Sequence, residues 1–302
     1  MMKTAYERIL VAVDDSSESK NALRKASEIA KMNNDAKLII THVVDEAAYA
    51  GVQTFPVDFF KEAEERGKEL LHDMESDMMD AGLTNIETIL DRGNPKVLIP
   101  KEIAAAQKAD LIVAGASGAG TVEKFVIGSV SAGIARHATS DVLIVRKKAD
   151  GYPYVSILLA VDGSESAHRA FKKTIHLAKL EKAELTIAHV INKRMLSNVT
   201  KNSKEALQSM EDAGWKMLTE YKQEAESEGI SPVRVEVEHG APKMVLARSV
   251  APRHHADLIV SGASGLRSRE RFFLGSVSEG ITRRAGCDVL VVRQPVQEET
   301  TL

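Results

Sequence analysis

Two glycine-rich spacings carry the chemical signal of this chain. Gly115-Ala116-Ser117-Gly118 is followed, after nine residues, by Gly128-Ser129-Val130-Ser131, and Gly262-Ala263-Ser264-Gly265 is followed, again after nine, by Gly275-Ser276-Val277-Ser278. Both copies read G-x2-G-x9-G-S. A polyphosphate needs backbone N–H groups aimed at it, and glycine lets the main chain approach closely and take positive φ. Gly128-Ser129 opens an apolar helical stretch through Ile134 and Ala135, so Ser129 reads as an N-cap and the positive end of a helix would face the anion. Plain strand-to-helix turns would use the same glycines, but two copies at one spacing favour the phosphate cradle. Other phosphate motifs do not fit. The P-loop pattern is absent, and a dinucleotide fingerprint would need a third glycine where Glu123 stands.

Asp14 and Asp162 each close the first apolar run of a half. A carboxylate before serine at a strand end often caps the next helix, and it could also orient water or Mg2+. His42 and His189 sit inside apolar runs and read as satisfied core residues. His254 and His255 are adjacent, so on a helix they point about 100° apart and do not form a metal clamp; they read as surface residues. Arg267, Arg269 and Arg271 crowd the nine-residue loop of the second half, where the first half has Lys124. They either reach a phosphate tail or form a solvated face. No nucleophile elbow, zinc-protease helix or Cys-His signature is present, so binding groups are visible and a general base is not.

These residues sit on a duplicated framework. Ile9 to Asp14 is answered by Ile157 to Asp162 at an offset of 148, whereas His42-Val43-Val44, Gly93-x-Pro95 and Ala109 to Val113 are answered at 147. The first half thus holds one extra residue, placed near Asp15-Ser16 by the comparison of Asp14-Asp15-Ser16-Ser17 with Asp162-Gly163-Ser164. The chain of 302 residues therefore reads as two domains, 1–150 and 151–302. In each half, continuous apolar runs alternate with amphipathic segments such as Ser19 to Met32, which predicts parallel strands covered on both faces by helices. Asp58 to Ala81 and Glu205 to Glu228 read as long charged helices, and Met74 and Met78 as core filling. A net charge of -3 without basic clusters argues against a nucleic-acid or membrane-surface partner. A single cysteine, Cys287, and the lack of a signal-like or membrane-length apolar run point to the cytoplasm.

Taken together, the A-V-D first turn, the H-V-V and H-V-I strands, the A-D-L-I-V strands and the paired glycine loops resemble a tandem universal stress protein over nearly the whole chain. The glycine pattern is similar to that of the family's nucleotide-binding branch. The resemblance implies an α/β fold of two tandem Rossmann-like domains, each an open five-stranded parallel sheet of order 3-2-1-4-5 flanked by helices. It implies ATP, or AMP or another adenine nucleotide, with Mg2+, over the carboxyl ends of strands 1 and 4, in keeping with the switch-point rule. Carried over, the family pattern puts Asp14 and Asp162 near ribose and phosphates, and the backbone of Val43 and Val190 at the adenine edge. Ala12, Val13, Ala160 and Val161 form its apolar floor. Gly115, Gly118, Gly128 and Ser129 match the phosphate loop, as do Gly262, Gly265, Gly275 and Ser276, with Val130, Ser131, Val277 and Ser278 as second contacts. The two domains are expected to pair internally near strand 5, with a homo-oligomer and an unidentified protein partner as further associations.

The resulting expectation is a nucleotide-dependent regulator of the stress response. A slow ATPase or adenylyl-transfer enzyme and an interaction module with unused pockets are the alternatives. Residues 1–150 carry a net charge of -5 and residues 151–302 a net charge of +2. Second-site affinity is therefore expected to fall from ATP to AMP and with salt more steeply than first-site affinity, since exposed charges are screened over about 8 Å at physiological ionic strength. Titrations with one site silenced at a time measure this. Equal salt and phosphate dependence at both sites would assign Arg267, Arg269 and Arg271 to a solvated face.

Overall fold

The structure, a computed structural model, describes residues 5–46, 59–117, 127–146, 153–192, 203–265 and 274–294. The chain divides into two compact units, with the described residues up to 146 in the first and those from 153 to 294 in the second.

In the first unit the strands are β1 (Arg8–Ala12), β2 (Lys37–Asp45), β3 (Ile86–Gly93), β4 (Leu111–Gly115) and β5 (Asp141–Val145). Helices Ser17–Met32, Phe59–Asp80, 95–106 and Ser129–His137 connect them. All neighbours pair in parallel, in the order β3-β2-β1-β4-β5. The second unit repeats this with β6 (Ser156–Val161), β7 (Glu184–Ile191), β8 (Val233–His239), β9 (Leu258–Gly262) and β10 (Asp288–Val292), in the order β8-β7-β6-β9-β10. Its helices are Glu165–Glu181, Ser203–Ser227, 242–253 and Ser276–Arg284. Each is the expected 3-2-1-4-5 sheet.

The cause is visible in the burial. Every residue of β4, β5, β9 and β10 is buried, as strands sandwiched between helix layers must be. The first helix of each unit presents Ala22, Leu23, Ala26 and Ile29, or Ala167, Ala170, Phe171 and Ile175, to the sheet. Serine starts both helices. Ser16 accepts the Ser19 amide, and Ser164 accepts the Ala167 amide, each at 3.1 Å.

Those caps move the extra residue of the first half. Asp14, Ser16 and Ala30 keep the offset of 148 to Asp162, Ser164 and Ala178. The Ala36 amide then bonds back to Ala30, whereas the matching bond runs from Ala183 to Ala178, one residue nearer. The insertion therefore lies in the turn after the first helix, where Asn34 and Asp35 both take φ 56° against Lys182 alone in the matching turn of the second unit. It does not lie at Asp15-Ser16. Anchors on either side of an insertion bound it, and only the backbone pairing between them locates it.

The units also pack differently between their first two helices. In the second, Phe171 and Tyr221 meet with ring centroids 4.7 Å apart, and Lys172 pairs with Glu224 over them. In the first, Leu23 and Met74 hold the equivalent places and leave an open cleft of about 410 Å3 edged by Lys20, Arg24, Asp73 and Asp77. Met74 and Met78 are buried, as core filling predicts.

At the amino ends of the strands each unit buries one tyrosine on one aspartate. The Tyr6 and Tyr154 hydroxyls donate to Asp141 and Asp288, both at 2.9 Å. Burial pushes the Tyr6 hydroxyl well above its ordinary pKa, and the Asp141 charge adds to this. Tyr154→Phe removes the donor from a buried carboxylate and is expected to lower stability by about 1–3 kcal/mol, read from urea unfolding. An unchanged midpoint would show that Asp288 finds equal compensation elsewhere.

Candidate functional site

The carboxyl ends of β6 and β9 bring the predicted residues of the second half together. Asp162 follows the last residue of β6, and its Oδ1 accepts the Ser164 amide at 3.0 Å, closing a turn on itself. The N-cap of the following helix is thus Ser164, and Asp162 is not needed for that task. Among the described residues Asp162 Oδ2 has no hydrogen-bond partner. It faces Gly265: a Cβ there would lie 2.6 Å from it. Gly275 in turn packs against the same turn, its missing Cβ falling 3.2 Å from the Ala263 carbonyl oxygen and 3.8 Å from the Gly265 nitrogen. The first unit repeats the turn, with Asp14 Oδ1 accepting both the Ser16 amide and its hydroxyl. The entrances differ at one position, where Gly163 takes φ +79° and Asp15 is an exposed carboxylate 3.5 Å from Lys20.

The helices that follow the glycine loops begin one residue earlier than the sequence suggests. Gly128 and Gly275 are the N-caps, with extended backbone and carbonyls accepting from Ala132 and Glu279 at 2.9 Å. Ser129 and Ser276 are the first helical residues and are exposed, so the reading of Ser129 as N-cap is corrected. Glycine has no side chain to fold back, and neither helix carries a side-chain cap. The first N–H groups therefore remain available to an external acceptor, at the positive end of the helix dipole. The serine-capped first helices offer no such opening.

Other predicted residues prove to be structural supports of this opening. Ser131 and Ser278 are buried, and their hydroxyls donate to the Gly115 and Gly262 carbonyls at 2.5 and 2.6 Å, tying the helix to the strand end. The Gly128 and Gly275 amides donate to Ala116 and Ala263 at 2.6 and 2.7 Å, closing the base of each loop. Gly115 and Gly262 lie under the first helix: a Cβ would come 2.8 Å from the Glu18 carbonyl carbon and 2.7 Å from that of Ser166. Val130 and Val277 are half-buried. Gly118 lies outside the described residues, as do Lys124, Arg267, Arg269 and Arg271.

Beside β1 and β6, Ala12 and Ala160 are partly open while Val13, Val161, Val43 and Val190 are nearly buried. His42 Nδ1 stands 2.8 Å from the Val13 carbonyl oxygen and His189 Nδ1 2.9 Å from that of Val161. A carbonyl only accepts, so each Nδ1 carries the proton. These are the satisfied core histidines expected. His254, by contrast, is not a plain surface residue; it is largely buried, with Nε2 2.5 Å from Glu236. Asp162 also reaches Tyr221, whose hydroxyl is raised above its ordinary pKa by burial first and by this carboxylate next. No group of three or more His, Cys, Asp or Glu among the described residues could hold a metal.

The model of the universal stress protein family matches residues 5–146 and again residues 153–293. This chain belongs to the universal stress protein family. A putative universal stress protein of Staphylococcus haemolyticus is 43% identical over 141 residues, 47% of this chain and 85% of that protein. One from Staphylococcus aureus is 42% identical over 154 residues, 50% of this chain and 92% of that protein. Among solved structures, a universal stress protein from Archaeoglobus fulgidus superposes with a TM-score of 0.72 at 24% identity, covering 96% of this chain and 97% of that one. That likeness concerns the fold.

One pair of contacts in this universal stress protein escaped the sequence reading. Gly133 and Gly280, inside the helices that open at Gly128 and Gly275, are overlaid by Lys96 and Lys243. The signal was there, since the repeated Gly-x-Pro is followed by lysine in both halves, but nothing in the sequence places that turn against this helix.

The two glycines of each loop should respond differently to a methyl group. Gly262→Ala meets backbone that cannot yield and is expected to cost about 1–3 kcal/mol in urea unfolding. Gly265→Ala meets only a rotatable carboxylate and should leave stability within about 0.5 kcal/mol. Equal losses would show that both glycines serve packing.

Proposed function

We propose that this universal stress protein binds two adenine nucleotides per chain, one in each of the domains 1–150 and 151–302. Its nucleotide state would then regulate a protein partner in a stress response in the cytoplasm. The observation that carries the reading is the uncapped helix end behind Gly128 and Gly275, set in both copies across from the carboxyl end of the first strand. The first helix of each domain, by contrast, begins on a serine whose side chain caps it. An anion is what such an end accepts best.

ATP, with AMP or another adenine nucleotide as a weaker ligand, meets the rest of the site. The phosphates take the amides of Ser129, Val130 and Ser131 in the first domain and of Ser276, Val277 and Ser278 in the second. Gly118 and Gly265 allow the main chain to approach. Asp14 and Asp162 face the ribose and phosphates, and Mg2+ arrives with the nucleotide. Adenine lies over Ala12, Val13 and Val43, or Ala160, Val161 and Val190. Each aspartate already holds its own turn through Oδ1, and among the described residues no general base is placed beside it, so turnover should fall well below the ~1–10³ s⁻¹ of ordinary enzymes. Among the described residues no helix is long and apolar enough to cross a membrane.

Titration calorimetry with ATP is expected to give two sites per chain. Gly118→Val with Gly265→Val should abolish both while circular dichroism stays native, because the side chains project where phosphate would sit. Normal ATP binding by that double variant would overturn the reading. A stoichiometry near one would confine it to a single domain.

A further inference from the structure

We propose that Lys96 and Lys243 supply the positive charge for the outermost phosphates of the bound nucleotide, one lysine per domain. The proposal rests on the nucleotide reading and names a determinant of its preference for long phosphate chains. Both residues sit at the second position of the helix following the repeated Gly-x-Pro turn, in 95–106 and 242–253. Pro95 and Pro242 hold that helix start, and in the first domain Asn94 also caps the Lys96 amide at 3.1 Å.

Their neighbours fix where the stems run. A Cβ on Gly133 would lie 2.7 Å from Lys96 Cβ and 3.1 Å from its Cα, and one on Gly280 would lie 2.6 Å from both Cβ and Cδ of Lys243. Only glycine leaves this room. Gly133 follows Ser129 by four residues, and Gly280 follows Ser276 by four. The Lys96 Cβ and the Lys243 stem out to Cδ therefore lie on the same helix face as the exposed first helical serine, about one 5.4 Å turn from it. A flexible four-carbon stem spans such a step and can present its ammonium beside the uncapped amides.

The charge of these lysines is also left over. Both are half-buried, and among the described residues neither ammonium has a hydrogen bond or an ion pair. Several other cations do have carboxylate partners: Lys37 on Glu87, Arg92 on Glu46 and Glu64, Arg253 on Glu236 and Glu238. An unpaired, partly desolvated cation repeated at the same place in two copies is best matched by an anion that the protein does not itself contain. The uncapped amides next to it would receive the same anion.

The test uses the full chain and the Lys96→Met, Lys243→Met double variant. Methionine keeps an apolar stem over Gly133 and Gly280 and removes only the charge, and a thermal melt checks folding. Affinities for ATP, adenosine and inorganic tripolyphosphate are measured at low and physiological salt. The expected result is a loss of about tenfold or more for ATP and tripolyphosphate, with adenosine unchanged, a flatter salt dependence, and recovery in Lys96→Arg with Lys243→Arg. ATP and tripolyphosphate binding equal to wild type in the methionine variant would overturn the lysine role and leave the nucleotide reading standing. Lysine-dependent tripolyphosphate binding by a wild type that takes neither ATP nor adenosine would support the lysine role and overturn the nucleotide reading. Binding of neither ATP nor tripolyphosphate by wild type would overturn both.

Discussion

At the end of the fourth strand of each domain, the first helix lies so close that no side chain fits between them. Gly115 is held under Glu18, and Gly262 under Ser166, at backbone contact. On the other side of the same strand end, the carbonyls of these glycines receive the buried hydroxyls of Ser131 and Ser278. One residue thus fixes two helices at once. The first helix brings its aspartate turn to the crevice, and the fourth helix brings its uncapped end. A larger residue at 115 or 262 would separate the two walls, whatever happened to the residues that line them.

This division gives the glycines and serines around the strand end separate structural tasks. Gly128 and Gly275 shape the opening by withholding a cap, while Ser131 and Ser278 hold the strand behind it. Gly133 and Gly280 admit a lysine stem from a helix that starts at a different strand. The helix end itself is a place where the dipole and the uncapped amides have the same sign and no side-chain cap. Buried or half-buried groups of that kind are costly to leave unanswered, so their alignment in both domains has a physical consequence that scattered surface charge does not.

Duplication has left the two domains alike in this respect and different around it. The aromatic contact of Phe171 with Tyr221 closes the groove between the first two helices of the second domain, and the Lys172–Glu224 pair covers it. Leu23 and Met74 leave that groove open in the first. At the edge strand β8, Glu236 and Glu238 engage His254 and Arg253, where Gln107 of the first domain instead reaches Glu87. Such differences lie away from the glycine turns, where the backbone geometry of the two copies is nearly the same.

The sequence by itself determined the strands, their parallel character, the duplication and the pairing of glycine loops with helix starts. Continuous apolar runs cannot sit in a half-exposed strand, and a repeated spacing is visible without knowing what touches what. The core role of His42 and His189 was legible for the same reason. Which glycine packs against the neighbouring helix and which faces the aspartate turn was not legible, because both look identical along the chain. Nor were the inward turn of Ser131 and Ser278, the place of the inserted residue after the first helix, the partner of His254, or the approach of Lys96 to Gly133. Each of these depends on a contact between segments far apart in sequence. Local pattern dictates that a group is buried or turned, and only the packed fold decides which distant atom it meets.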